Sequence, residues 1–122
     1  MLKREDLRTE VATITTSDAN VGSAIPANMR RFIYKIKAIN LHTVAQLMTL
    51  GKRENGAGST TTIDYVQFAT QYETWVDPDE LKEDAVPLYI VEGAGDDGTS
   101  YLWAKTELGN AYLTIWYVDA PA

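Results

Sequence analysis

The strongest constraint on this chain is its punctuation. Short runs of β-branched and aromatic residues are broken roughly every ten to fifteen residues by Gly, Pro, Asn or Asp, and no stretch sustains the apolar period of a long helix. Residues 10–16 (EVATITT), 30–40, 43–50, 60–68, 87–92, 100–106 and 111–118 read as strands, with 69–76 an ambiguous aromatic eighth. Seven to eight strands of this kind predict an all-β chain, a single β-sandwich of jelly-roll or immunoglobulin-like plan. At 122 residues the chain has the common size of one domain. That length buries about 65–70% of the surface its unfolded form would expose. The expected division is an N-terminal arm over residues 1–10 and one sandwich over residues 11–122.

Within that plan the clearest strand is 30–40, whose alternation sets Phe32, Tyr34, Ile36 and Ala38 on one face. Arg31, Ile33, Lys35, Lys37 and Ile39 fall on the other. Residues 43–50 admit a strand or a short helix; the neighbouring strands favour a strand, ended by Gly51. Turn chemistry marks 17–23, 54–59 and 93–98 as loops. Asp77-Pro78 has the form of a helical turn, with Asp77 as cap and Pro78 at the first position. Leu108-Gly109-Asn110-Ala111 suits a tight hairpin between the last two strands.

Several chemistries are excluded or weakened. With no cysteine, thiolate metal sites, disulfides and cysteine nucleophiles fall together. The single histidine, His42, has no motif placing a serine and a carboxylate around it, so an ordinary turn histidine is the preferred reading over a general base. Zinc needs three or four ligands, and no metal or other cofactor is expected. Two acidic groups invite comparison with calcium sites: Asp77, Asp79, Glu80, Glu83 and Asp84, and Glu92 with Asp96 and Asp97. Neither has the spacing of a helix-loop-helix calcium loop. Gly93 to Gly98 meets the spacing of a dinucleotide loop formally, but it puts two carboxylates where pyrophosphate would lie and leads into a strand. A net charge of −6 opposes nucleic-acid binding. No apolar run reaches the ~20 residues of a membrane helix. The mixed charges of Met1 to Asp6 do not form a secretory leader, so a cytoplasmic product is expected.

Charge and aromatic rings then supply the candidate surfaces. Residues 1–63 carry nine Lys and Arg against five acids, whereas residues 64–122 carry two Lys against twelve acids. The basic strand residues Arg30, Arg31, Lys35 and Lys37 are candidate interface residues, with Asp77, Asp79 and Glu80 as their acidic counterpart. Opposite patches on one subunit favour head-to-tail contacts that build rings or lattices, or else neutralise each other within the domain. Most aromatic side chains read as core. Trp75, with Tyr72 beside it, is the expected exposed exception and would serve a carbohydrate-type ligand.

A short charged arm, a proline-entered strand (Ile25-Pro26-Ala27-Asn28-Met29-Arg30-Arg31-Phe32-Ile33-Tyr34) and compact strands without an enzyme motif resemble small viral and phage structural β-sandwiches, in particular capsid decoration or cement proteins. The resemblance is one of style and transfers no functional residues. It implies a non-enzymatic homo-oligomer within a larger protein assembly such as a capsid, located in the virion. The alternative is a carbohydrate-type binding module.

Overall fold

The computed structural model describes residues 3–54, 60–93 and 100–121, and the side chains of Arg4 and Glu54 are not among what it describes. Within these residues lie a single 3-10 turn over Arg4–Asp6 and nine strands. The strands are β1 (Arg8–Ile14), β2 (Ala19–Ile25), β3 (Met29–Asn40), β4 (Gln46–Glu54), β5 (Thr60–Phe68), β6 (Thr74–Asp77), β7 (Tyr89–Glu92), β8 (Ser100–Thr106) and β9 (Ala111–Pro121). One sheet has the order β1-β9-β3-β6, with β7 also paired to β3, and the other has the order β2-β8-β4-β5.

All pairings are antiparallel, and apart from β3–β9 and β4–β8, which join the layers of the wrap, they are nested. β4 pairs with β5, β3 with both β6 and β7, β2 with β8, and β1 with β9. Wrapping one long nested hairpin into two layers produces a jelly roll, so the immunoglobulin-like alternative falls away. β7 and β6 together supply one strand's worth of partner, β7 along Arg30 to Ile33 and β6 along Ile36 to Ile39. Between the sheets Ile14, Ile25, Ile33, Met48, Phe68, Leu113 and Ile115 are fully buried. Alternate residues of each strand supply this core, as a two-layer sandwich requires.

Four local expectations change. β2 begins at Ala19, inside the expected loop, because Val21 and Ile25 are wholly buried. A bulge between them, with Gly22 at φ 77°, lets both reach the core. Gly51 lies within β4 instead of ending it. A Cβ there would stand 2.6 Å from the Thr61 carbonyl oxygen, so only glycine fits the close approach of β5. Asp77-Pro78 is a cis peptide closing β6, and no helical turn forms there. Leu108 to Ala111 is not a hairpin turn, since β8 and β9 belong to different sheets and the chain crosses from one layer to the other. The expected arm is also shorter, since Arg8 to Glu10 already pair with β9. Residues 55–59 and 94–98 of the expected loops, Asp96 and Asp97 included, lie outside the described residues.

The decisive difference is in β3. Ile33 pairs with Tyr117 and Lys35 with Trp116, so Tyr34 is an extra, bulged residue. The bulge shifts the alternation by one. Arg31 and Ile33 point inward before it, and Ile36, Ala38 and Asn40 point inward after it.

Candidate functional site

Because of that bulge, the four basic residues of β3 have different fates. Arg31 is turned into the sandwich and is 0% exposed. Its Nε and Nη2 donate to the two carboxylate oxygens of Asp119 at 2.8 and 2.9 Å, and Nη1 donates to the Ser23 carbonyl at 2.8 Å. The guanidinium carbon lies 4.2 Å from the centre of the Tyr117 ring, and the Tyr117 hydroxyl donates to Glu10. Burial pushes the Tyr117 hydroxyl pKa up, against the opposing pull of Arg31. Arg31 is therefore no part of an exposed stripe. A buried guanidinium needs paired, hydrogen-bonded partners, and here it has them.

The other three remain on the outer side. Arg30 pairs with Glu92 at 3.2 Å, both well exposed. Lys35 donates from Nζ to the Asp79 carbonyl and stands 5.3 Å from the centre of the Trp116 ring. Lys37 is exposed and forms no ion pair with a described residue. Of the acidic counterparts, Asp77 faces inward opposite Ile36, while Asp79 and Glu80 are exposed. The charge split along the sequence is thus met in part within the domain: Arg30 and Arg31 pair with Glu92 and Asp119 of the acidic second half, and Lys35 donates to a backbone carbonyl there. Arg30, Arg31 and Lys35 all find partners there.

These residues define the outer face of the five-stranded sheet, which has two unlike halves. Toward one end the cross-strand rows are Thr13, Tyr112, Ile39 and Thr74, then Val11, Thr114, Lys37 and Val76. Val11 is 68% exposed and Tyr112 46%. This half sets Val11, Tyr112, Ile39 and Val76 among three threonines, with Lys37 as the one charge in these two rows. Toward the other end, the N-terminal segment and residues 79–85 stand over the sheet. They wall a groove of about 430 Å³ with Leu7, Lys35, Leu81 and Trp116, and one of about 480 Å³ with Lys3, Asp6, Tyr34 and Val118.

The other candidates have structural explanations. Trp75 faces inward opposite Ala38 and packs on the core, so the expected exposed platform does not form; Tyr72 is 67% exposed at φ 62°. His42 lies against Gly109, and no described residue hydrogen-bonds its ring. Among the described residues no three His, Asp or Glu side chains converge to hold a metal ion.

Two polar pairs escaped sequence reasoning. Asn40 and Gln46, both fully buried, are joined by Gln46 Nε2 donating to Asn40 Oδ1 at 2.8 Å, and they tie down three surrounding loops. Asn40 holds the Val44 and Thr70 carbonyls, and Gln46 Oε1 accepts from the amides of Leu108 and Gly109. The Tyr89 hydroxyl donates to Asp64 at 2.6 Å, linking the two sheets. Burial, that hydrogen bond, and the charges of Asp64 and Asp77 all push the Tyr89 pKa up. A position next to turn chemistry was the only signal for Asn40. No helix among the described residues is long and apolar enough to cross a membrane. Comparison with family models, curated proteins and solved structures returns no match.

Proposed function

We propose that this chain is a non-enzymatic structural subunit, a jelly roll that associates with further copies to build or decorate a larger particle such as a capsid. The observation that carries the reading is the outer half-face, where Val11, Tyr112, Ile39 and Val76 surround Lys37, which has no ion pair to a described residue. Contiguous apolar surface rimmed by polar groups is the usual mark of a protein partner. The jelly-roll plan itself serves capsid and lectin domains alike, so it favours assembly only in combination with the exposed face. The carbohydrate alternative has less support, since Trp75 packs inward and leaves Tyr72 without it at the surface.

Sedimentation across a concentration series, at low and at high salt, tests the reading. Reversible association is expected. A strict monomer at the highest concentration in both conditions overturns it.

A further inference from the structure

The outer face of the five-stranded sheet is a step. One half is bare, and the other is raised by the N-terminal segment and residues 79–85. The halves also differ in charge. The bare half carries Lys37, exposed and without an ion pair to a described residue. The raised half carries the exposed carboxylates Asp79, Glu80, Glu83 and Asp84, none of them paired with a described cation and outnumbering Lys35 and Lys82 beside them.

We infer that this face binds the same face of a second copy across a two-fold axis, with Lys37 of each subunit meeting the acidic 79–84 segment of the other. The inference rests on the assembly reading and names its surface. The geometry follows from symmetry. An axis in the plane of the interface, crossing the strands between the Thr114–Lys37 and Trp116–Lys35 pairs, reverses the strand direction while keeping the lateral position. The bare half of one sheet then lies on the raised half of the other, so two steps interlock. The 79–81 segment stands over Lys35 of β3 and Trp116 of β9, which is the lateral position of Lys37 on β3. Each Lys37 therefore faces Lys35 of the other copy, whose Nζ is held by the Asp79 carbonyl, together with the Asp79 and Glu80 carboxylates beside it, twice per dimer. The apolar residues Val11 and Tyr112 are covered in the same movement.

Area sets the strength. The bare half spans four strands by about four residues, roughly 19 Å by 13 Å or about 250 Å². Both halves of both subunits bury about 1,000 Å², at the low end of specific interfaces. The dimer is accordingly weak and salt-sensitive, and is read at roughly 100 µM protein.

The test is sedimentation equilibrium of the full chain and four variants: Lys37→Glu, Asp79→Lys/Glu80→Lys, their combination, and Val11→Asp. All four sites are exposed, and circular dichroism verifies that each variant is folded. Lys37→Glu and Asp79→Lys/Glu80→Lys are each expected to weaken dimerisation at least about tenfold, and their combination to recover most of it. Val11→Asp is expected to weaken it comparably, and salt to weaken the parent dimer. If the chain associates but ignores Lys37→Glu and Val11→Asp, the inference fails while the assembly reading stands, with a different surface as the contact. If Lys37→Glu weakens association and the charge reversal does not restore it, the two-fold arrangement is wrong and another partner for Lys37 is required. A strict monomer overturns both.

Discussion

Arg31 and Asp119 lie 88 positions apart and meet in a bidentate pair at 2.8 and 2.9 Å, the guanidinium fully buried. The pair is a product of the wrap that sets β9 beside β3. β3 and β9 are neighbours only because the chain folds back on itself as one long hairpin before it is wrapped, so a basic residue early in the chain meets an acidic one at its far end. The same arrangement gives Arg30 its Glu92 and Lys35 its Asp79 carbonyl.

The buried pair gives a stability prediction. Asp119→Ala strands the guanidinium in a dry site and is expected to cost about 3–5 kcal/mol in urea denaturation. Replacing both partners, as in Arg31→Met/Asp119→Leu, is expected to cost less than Asp119→Ala alone, because no unpaired buried charge remains. An equal or larger loss in the double variant would show that the pair itself stabilises the fold.

The amide pair at the opposite end of the sandwich has its own signature. Asn40→Ala leaves the Val44 and Thr70 carbonyls and the His42 amide without their side-chain partner, and an expected loss of roughly 3 kcal/mol follows. Gln46→Ala releases the Leu108 and Gly109 amides with a comparable loss. Since the two side chains are bonded to each other, the losses in Asn40→Ala/Gln46→Ala are expected to sum to less than the two singles. Full additivity in a double-mutant cycle would contradict the coupling.

The sandwich was legible in the sequence because a period-2 apolar pattern and turn residues are local signals. Strand pairing was not, since nothing local tells β8 that its continuation lies in the other sheet. The expectation that Arg31, Lys35 and Lys37 share one face assumed unbroken alternation, and one bulged residue, Tyr34, undoes it. Asymmetric charge along the chain was read correctly as a quantity. Where it is met within the domain depends on topology, and of the four only Lys37 remains an exposed cation with no ion pair to a described residue.

Glycine positions separate backbone from side-chain crowding. At Gly93 a Cβ would collide with the Pro26 carbonyl oxygen and lie 3.0 Å from that of Met29, which already accepts the Gly93 amide at 2.8 Å. Neither backbone group can turn away, so Gly93→Ala is expected to cost about 2–3 kcal/mol. At Gly109 the collision is with the His42 ring, which can rotate out. Gly109→Ala is therefore expected to cost less, and His42→Ala to relieve most of what it costs. Thermal denaturation of the four variants decides, and an undiminished Gly109→Ala penalty without the ring would place the strain in the backbone instead.

Alkaline pH probes the Tyr89–Asp64 link between the sheets. Burial and the adjoining carboxylates hold the Tyr89 pKa well above the ordinary tyrosine value. Its contribution to stability is then complete below about pH 10, where Tyr is protonated in both the folded and the unfolded chain. Above that, the unfolded chain releases the proton while the folded chain keeps it, so unfolding is favoured and stability falls as pH rises. Tyr117, raised by burial, acts in the same direction. Tyr89→Phe has no proton to release in either state. Its urea midpoint is expected to be lower than the parent's at pH 8, from the lost hydrogen bond, and to fall less steeply between pH 9 and pH 11. Tyrosinate absorbance gives the matching readout: one fewer late-titrating hydroxyl in Tyr89→Phe than in the parent. Parallel stability curves for the two proteins across that range would mean that Tyr89 ionises as freely in the folded chain as in the unfolded one.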